Sequence, residues 1–334
     1  MNAVKPKGRV TRTDVARLAN VSEASVSYVL NGTPNKVSEK TAARIRRAAE
    51  ILDYRPSAFA RALKIGSSQT FGVIVPDFSN PYFASLSDEI ESAASEHDYS
   101  IIFATSHSDA ATERICIEKL KNRNVDVIFT SSALSNEELA SLDQQHCRLV
   151  FLDHPTATPD VKCVSTDFAK SIGMMTSHLF SHGHTNIALL YGGNNYTDPR
   201  IQGWHQAHQQ AGLPVGPVVR SHFTREGGYR ATLEMLDSSN RPTALFAASD
   251  LEALGALRAL HERHVRIPED MALVSFDGSI DTLYSYPQLT TMQQDTHNIA
   301  RYAVQAALHP DSSPDVTLVE PTLTARQSCG CVSI

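Results

Sequence analysis

The sequence predicts a small all-α head followed by a larger α/β core built from two parallel-sheet units. Three observations carry this. Residues 1–66 hold 13 Lys and Arg against 5 Asp and Glu, whereas the other 268 residues hold 17 against 31, so a +8 segment precedes a −14 body and the net charge of −6 describes neither. The first 55 residues show helical periodicity and almost no strand signal. From Gln69 onward, short apolar runs alternate with helical patterns, the rhythm of parallel strands covered by helices on both faces.

In the head, Thr13 is positioned to cap a helix through Val15, Leu18 and Ala19. Ser22 would cap a second through Val26, Val29 and Leu30, and Ser38 a third through Ile45, Ala48, Ala49 and Leu52. The break Leu18–Ser22 between the first two is only a few residues long, with Asn20 where a left-handed backbone is needed. This is a helix-turn-helix with a supporting third helix. Pro56 then opens a short Ala-rich stretch, and Gly66-Ser67-Ser68 forms a flexible joint, so a marginal hinge helix that folds on binding is expected there.

In the core, Phe71–Val75, Tyr99–Phe103, Val125–Phe129 and Leu149–Leu152 read as buried strands separated by helices near 81–97, 109–122 and 137–145. A second set, Ile187–Tyr191, Ala244–Ala247 and Ala272–Phe276, alternates with helices near 169–181, 199–211, 226–237 and 250–263. Ligands of such sheets sit at the carboxyl ends of the strands, so a cleft between two units is the expected binding place.

Several function classes drop out. There is no phosphate-binding Walker loop, no G-x-S-x-G elbow, no G-x-G-x-x-G after a strand and no H-E-x-x-H, so the residues name neither an enzyme nor a cofactor. No run approaches the roughly 18 apolar residues of a membrane span, and Met1–Arg9 lacks the apolar core of an export signal, so a cytosolic protein is expected. The five cysteines read as reduced thiols. His178 and His182 stand four apart on a predicted helix without an acidic third ligand, and Cys329-Gly-Cys331 has no second ligand pair nearby in the chain. The expectation is therefore no metal, with a surface helix and a free-thiol tail instead.

The basic head points to double-stranded DNA. The second helix of a helix-turn-helix enters the major groove, which sets Glu23, Ala24, Ser25, Ser27 and Tyr28 against base edges. Thr11, Ser22, Asn31, Lys36, Ser38 and Thr41, with Arg44 and Arg47, suit phosphates; for each serine, simple helix capping is the competing role. Ala60, Arg61, Leu63 and Lys64 suit the minor groove, with Leu63 either a wedge between base steps or a residue packed on the next domain.

The stretches Val10–Ala16, Ala19–Gly32, Val37-Ser38, Tyr54-Arg55-Pro56 and Ala60–Leu63 resemble the LacI/GalR family of bacterial transcriptional repressors, as do Val75–Phe83, His182-Gly183-His184, Ser249-Asp250, Phe276-Asp277 and Leu289–Thr291. The resemblance implies a homodimer on a palindromic operator, with paired hinge helices inserting the leucine that Leu63 matches. It also implies a core like periplasmic sugar-binding proteins, with chain crossings near 166–169, 292–296 and 321–325. The expected domains are then 1–54 for the head, 55–68 for the hinge and 69–334 for the core. The N-subdomain would span about 69–166 and 296–321, and the C-subdomain about 169–292 and 325–334. Asp77, Tyr82 and Phe83 match effector-contact positions on the N-subdomain, and Arg200, Trp204, Phe223, Ser249, Asp250 and Asp277 match those on the C-subdomain. From the residues alone, Trp204 reads at least as well as core packing.

A carbohydrate is the family's commonest small-molecule effector and a purine or nucleoside the next. A protein corepressor docking on the core stays open, and a solute-binding protein serving a transporter is the rival that shares the core. Two residues depart from the family pattern. Tyr28 stands where many members carry Arg, and Glu23 would repel phosphate unless it accepts from a cytosine amino group.

Overall fold

The structure, a computed structural model, describes residues 10–30, 33, 36–55, 66–135, 138, 139, 141, 142, 147–152, 161–193 and 198–331. The chain divides into two compact units, Met1–Ser68 and Gln69–Ile334.

The first unit contains α1 (Arg12–Ala19), α2 (Glu23–Leu30) and α3 (Glu39–Ile51). Helix α1 is capped by Thr11 and not by Thr13: Asp14, at the third helical position, accepts from the Thr11 amide at 2.9 Å and from its hydroxyl at 2.7 Å, which starts the helix earlier. Asn20 adopts φ 49° and ψ 57°, the left-handed conformation a short polar side chain tolerates. Ser22 and Ser38 cap α2 and α3, accepting from the amides of Ser25 at 3.2 Å and Thr41 at 3.3 Å. Val15, Ala16, Ala19, Val26, Ile45, Ala48 and Ala49 form the core, with Val29, Leu30 and Leu52 against it. Leu18, expected inside, is 50% exposed, because Val15 and Ala19 already define the buried stripe of α1.

The second unit contains two six-stranded sheets. The first comprises β1 (Thr70–Val75), β2 (Ser100–Thr105), β3 (Val127–Ser131), β4 (Arg148–Leu152), β5 (Lys162–Thr166) and β11 (Val316–Val319), in the order β11-β5-β4-β3-β1-β2. All its pairings are parallel. The second comprises β6 (Ile187–Tyr191), β7 (Val218–Arg220), β8 (Ala244–Ala247), β9 (Ala272–Asp277), β10 (Thr290–Gln293) and β12 (Thr322–Thr324), in the order β12-β10-β9-β8-β6-β7. Here only β12 runs antiparallel to its neighbour.

Helices α4 (Pro81–Ser95), α5 (Ala110–Lys121) and α11 (Thr296–Leu308) serve the first sheet; α6 (Phe168–Ser181), α7 (Pro199–Ala211), α8 (Arg225–Leu236) and α9 (Asp250–Glu262) serve the second, with the single turn α10 (Asp281–Tyr284) following β9. Each sheet is buried on both faces, which is why β1, β3, β4, β6, β8 and β9 are near-continuous apolar runs. The chain passes between the sheets three times: after β5, after β10, and between β11 and β12. Strands β5, β7, β10, β11 and β12 and helix α11 had no counterpart in the apolar-run reading. Segments such as Thr290-Thr291-Met292-Gln293 are short and polar, so periodicity does not reveal them.

Candidate functional site

The head presents its second helix as follows. Ala24 and Tyr28 are exposed, Tyr28 by 38%, while Ser25 and Ser27 are half-buried. Glu23 is already engaged within the head: Arg12 donates to its carboxylate through Nη2 at 3.3 Å and Thr13 through its hydroxyl at 2.8 Å. That pairing offsets the charge that would otherwise repel phosphate. The hydroxyls of Thr11, Ser22, Ser38 and Thr41 take part in capping, with Ser22 to Ser25 at 3.0 Å and Ser38 to Thr41 at 2.9 Å. Lys36, Arg44 and Arg47 are exposed. Asn31 and the hinge residues Ala60, Arg61, Leu63 and Lys64 lie outside the described residues.

In the core, the candidate residues collect at the carboxyl ends of parallel strands, where backbone amides and loops converge. Asp77 follows β1, Ser249 and Asp250 follow β8, and Asp277 ends β9; beside them Gln294, which no motif singled out, follows β10. Asp250 is fully buried and fully used: its carboxylate accepts from Ser275 Oγ at 2.5 Å, the Ser279 amide at 2.6 Å and Thr291 Oγ1 at 3.1 Å. It ties β8, β9 and β10 together. Burial pushes it up to about 6 despite those donors. Asp277 accepts from the Asp250 amide at 3.3 Å and from Gln294 Nε2 at 2.9 Å. Its φ of 113° is unusual for a side-chain-bearing residue, the kind of strain that surrounding contacts must hold in place. Burial, reinforced by the Asp250 charge, raises its carboxyl well above the ordinary value.

Arg200 opens α7, and its guanidinium lies 3.9 Å over the Phe168 ring while Nη1 pairs with Asp198 at 3.0 Å. Phe223, 37% exposed, sits 5.5 Å from the same guanidinium and packs edge-to-face on Tyr191. Ser249 is buried as the cap of α9, and its hydroxyl donates to Glu252 at 3.0 Å. Glu252 carries no sequence motif and is completely buried; burial lifts its carboxyl well above the usual range, and Arg200 and Asp277 both act on it electrostatically. On the N-subdomain, Asp77 is exposed and accepts from the Ser79 hydroxyl at 2.6 Å and its amide at 2.8 Å; these bonds lower its carboxyl, helped by the charges of His107 and Arg225.

Two of the effector-contact candidates lie in the cores, the role the residues alone already suggested for Trp204. Trp204 is fully buried, with its indole N–H donated to the Gly216 carbonyl at 3.1 Å, so the core takes the whole ring. Tyr82 is also buried, in the apolar core under the first sheet, and Phe83 packs against the same core. In both cases the helix turns its apolar stripe inward and the largest ring goes with it.

The histidines and cysteines meet in the fold although they are distant in the chain. Folding brings His178, His182, Cys329 and Cys331 together, with their ligand-type atoms all within 4.8 Å of one another. Neither pair has a further ligand nearby in the chain, because the partners stand about 150 residues apart along it.

A basic helix-turn-helix unit and a two-sheet α/β unit with polar side chains gathered at its strand ends define a DNA-binding regulator with a ligand-binding core. The comparisons agree. Residues 11–57 match the family of bacterial regulatory proteins of the lacI type, and residues 176–329 match the periplasmic binding protein-like domain. The chain is 32% identical over 304 residues to catabolite control protein A of Priestia megaterium, covering 89% of this chain and 91% of that protein. It is 30% identical over 326 residues to the ribose operon repressor of Haemophilus influenzae, covering 95% and 98%. A crystal structure of the lac repressor dimer bound to operator and the anti-inducer ONPF superposes with a TM-score of 0.87 at 26% identity, covering 96% of this chain and 99% of that one.

The chain belongs to the LacI family: it is a transcriptional repressor with an effector-binding domain and not an enzyme. Among the described residues no helix is long and apolar enough to cross a membrane.

Proposed function

We propose that this repressor binds a palindromic operator as a homodimer and that a small carbohydrate, held by Arg200, Phe223, Asp277 and Asp77, sets its operator affinity. One observation carries the regulatory part. Thr166 Oγ1, at the end of β5, donates to Gln294 Oε1 at 2.6 Å, and Gln294 Nε2 donates to Asp277 at 2.9 Å. Two of the three segments that pass between the sheets are thus hydrogen-bonded to each other and to the strained pocket aspartate. A ligand that competes for Asp277 acts directly on the crossings about which the two subdomains would rotate, the differential contact that allosteric control requires.

The chemistry favours a polyhydroxylated ligand. Carboxylates of Asp277 and Asp77 accept from adjacent hydroxyls, Arg200 supplies a fork of donors, and Phe223 offers an exposed ring face to the apolar side of a sugar. Asp250, Ser249 and Glu252 hold this wall in shape; Trp204 and Tyr82 support it from the core. In the head, Ala24 and Tyr28 are the exposed base-reading candidates, and Leu63 is the minor-groove wedge. For the dimer, the C-subdomain exposes Ile280, Leu283, Tyr284 and Tyr286, the last two by 81% and 94%, an apolar patch suited to a second copy of this chain.

The test pairs two measurements on the full chain. Thermal-shift screening of sugars, sugar phosphates and purines should give stabilisation with a sugar, by about 2.7 kcal/mol at 100 times its Kd. Titration of palindromic duplexes chosen from a random pool should give affinity that falls steeply with salt, as release of phosphate counterions demands. A purine hit with no sugar hit would overturn the effector assignment, and salt-insensitive DNA binding would overturn the operator reading.

A further inference from the structure

We propose that His178, His182, Cys329 and Cys331 form a structural Zn²⁺ site that fastens the C-terminal segment to helix α6 of the second subdomain. His178 lies in the last turn of α6 and His182 is its C-cap, so the two rings fall one turn apart on one face, centroids 4.7 Å apart. Cys329 closes the short turn Gln327–Cys329. Gly330 follows at φ +90°, a left-handed conformation that a side chain would strain, and it brings Cys331 back beside its partner.

The separations fit one tetrahedral ion. His178 Nε2 is 3.3 Å from Cys329 Sγ and 3.9 Å from Cys331 Sγ, and His182 Nε2 is 3.4 Å from Cys331 Sγ. Tetrahedral zinc with Zn–S near 2.3 Å and Zn–N near 2.0–2.1 Å places its N and S ligands about 3.6 Å apart. These three separations lie within tenths of an ångström of that value, and the widest of the set, at up to 4.8 Å, would close by about 1 Å on metal binding. Two thiolates and two neutral imidazoles balance the charge of a borderline-soft dication, the composition of closed structural zinc sites. Thr290 Oγ1 donates to Cys329 Sγ at 3.0 Å, the kind of outer hydrogen bond that orients a ligand thiolate. Cys329 is buried while His182 is exposed, so the site has a dry inner side and an entry from solvent.

The site would fasten a segment with structural consequences. Just before it, Ser328 Oγ donates to the Leu273 carbonyl at 2.5 Å and accepts from the Thr290 amide at 2.8 Å, joining β9 to β10. Those strands carry Asp277 and lead into Gln294. A metal clip closing a loop of this length constrains the unfolded chain as well as the folded one. Binding releases a proton from each thiol, so affinity rises with pH.

The experiment uses the full chain, reduced and stripped of metal by a chelator. Titration with Zn²⁺ against a chromophoric chelator should show one ion per chain, and Co²⁺ should give the visible bands and thiolate charge transfer of a tetrahedral two-sulfur site. Cys331→Ser and His178→Ala should lose the cobalt signature, and the rise in melting temperature with zinc should vanish with it. Substoichiometric uptake, cobalt spectra without thiolate character, or a Cys329–Cys331 disulfide as the stable form in the presence of zinc would overturn the proposal. The cobalt spectrum of the unsubstituted chain decides the matter even if a variant fails to fold. Operator binding by the stripped protein is expected to persist.

Discussion

Gln294 Nε2 donates to the Oδ1 of Asp277 at 2.9 Å, and the Gln294 amide donates to the Asp277 carbonyl at 3.1 Å. A residue of the second crossing therefore grips Asp277, the aspartate of the proposed pocket, through both side chain and backbone. Thr166, at the first crossing, holds the other end of the Gln294 amide group. The three residues form one buried chain of hydrogen bonds from the crossings to the proposed pocket.

Replacing Gln294 by Ala removes the partner of both Thr166 and Asp277. Each buried group left unsatisfied costs about 1–3 kcal/mol. Gln294→Ala is expected to lower stability in a urea melt and to abolish or strongly weaken the effector's influence on operator affinity, while operator binding without effector survives. An unchanged effector response would show that this chain of hydrogen bonds does not transmit.

Trp204 makes the opposite prediction. Because the ring is fully buried, Trp204→Ala should cost about 3–5 kcal/mol. Trp204→Phe should cost less, roughly the 1 kcal/mol of the bond to Gly216 and some packing. Calorimetric effector affinity should be unchanged in the Phe variant; a marked loss there would return Trp204 to the pocket.

Glu252 gives a pH signature. Burial raises its folded-state carboxyl above the ordinary 4.5, so the folded chain holds a proton that the unfolded chain releases. Its contribution to stability is therefore present below 4.5 and lost as pH rises toward the folded-state value. Glu252→Gln does not titrate. The melting temperature of the variant, relative to the parent, should climb as pH increases above 4.5; a pH-independent difference would contradict the buried, raised carboxyl.

In the head, Glu23→Gln should free Arg12 for phosphate and remove one repelling charge. Affinity for non-specific duplex should rise and the slope of log K against log salt should steepen by about 0.9, the value of one added phosphate contact. If Glu23 reads a cytosine amino group, selected operators of the variant should also relax at that base pair. Fluorescence anisotropy across a salt series measures the first effect, and selection from a random pool the second.

Local features of the chain were legible without coordinates. Capping serines, an asparagine tolerant of left-handed backbone and a 3.6-residue apolar stripe are encoded within a few positions of where they act. The helix expected near 199–211 thus forms at Pro199–Ala211, whereas the cap of α1 is displaced by Asp14 reaching back to Thr11. Of the proposed pocket, Arg200, Asp277 and Asp77 were named through the family resemblance and not by any local pattern. Glu252 and Gln294 carry no motif, and only their burial and partners reveal them.

The sequence by itself determined the two electrostatic parts of this repressor, the helical head and the alternation that builds a two-sheet core, because charge and periodicity are local properties. Tertiary structure decided which side chains meet. Parallel strands join segments far apart in the chain, so strand order places Thr166 against Gln294 and brings the Cys329–Cys331 turn to the end of the helix that carries His178. Inward rotation of the apolar stripe likewise consigned Tyr82 to the core. No spacing along the chain records those encounters.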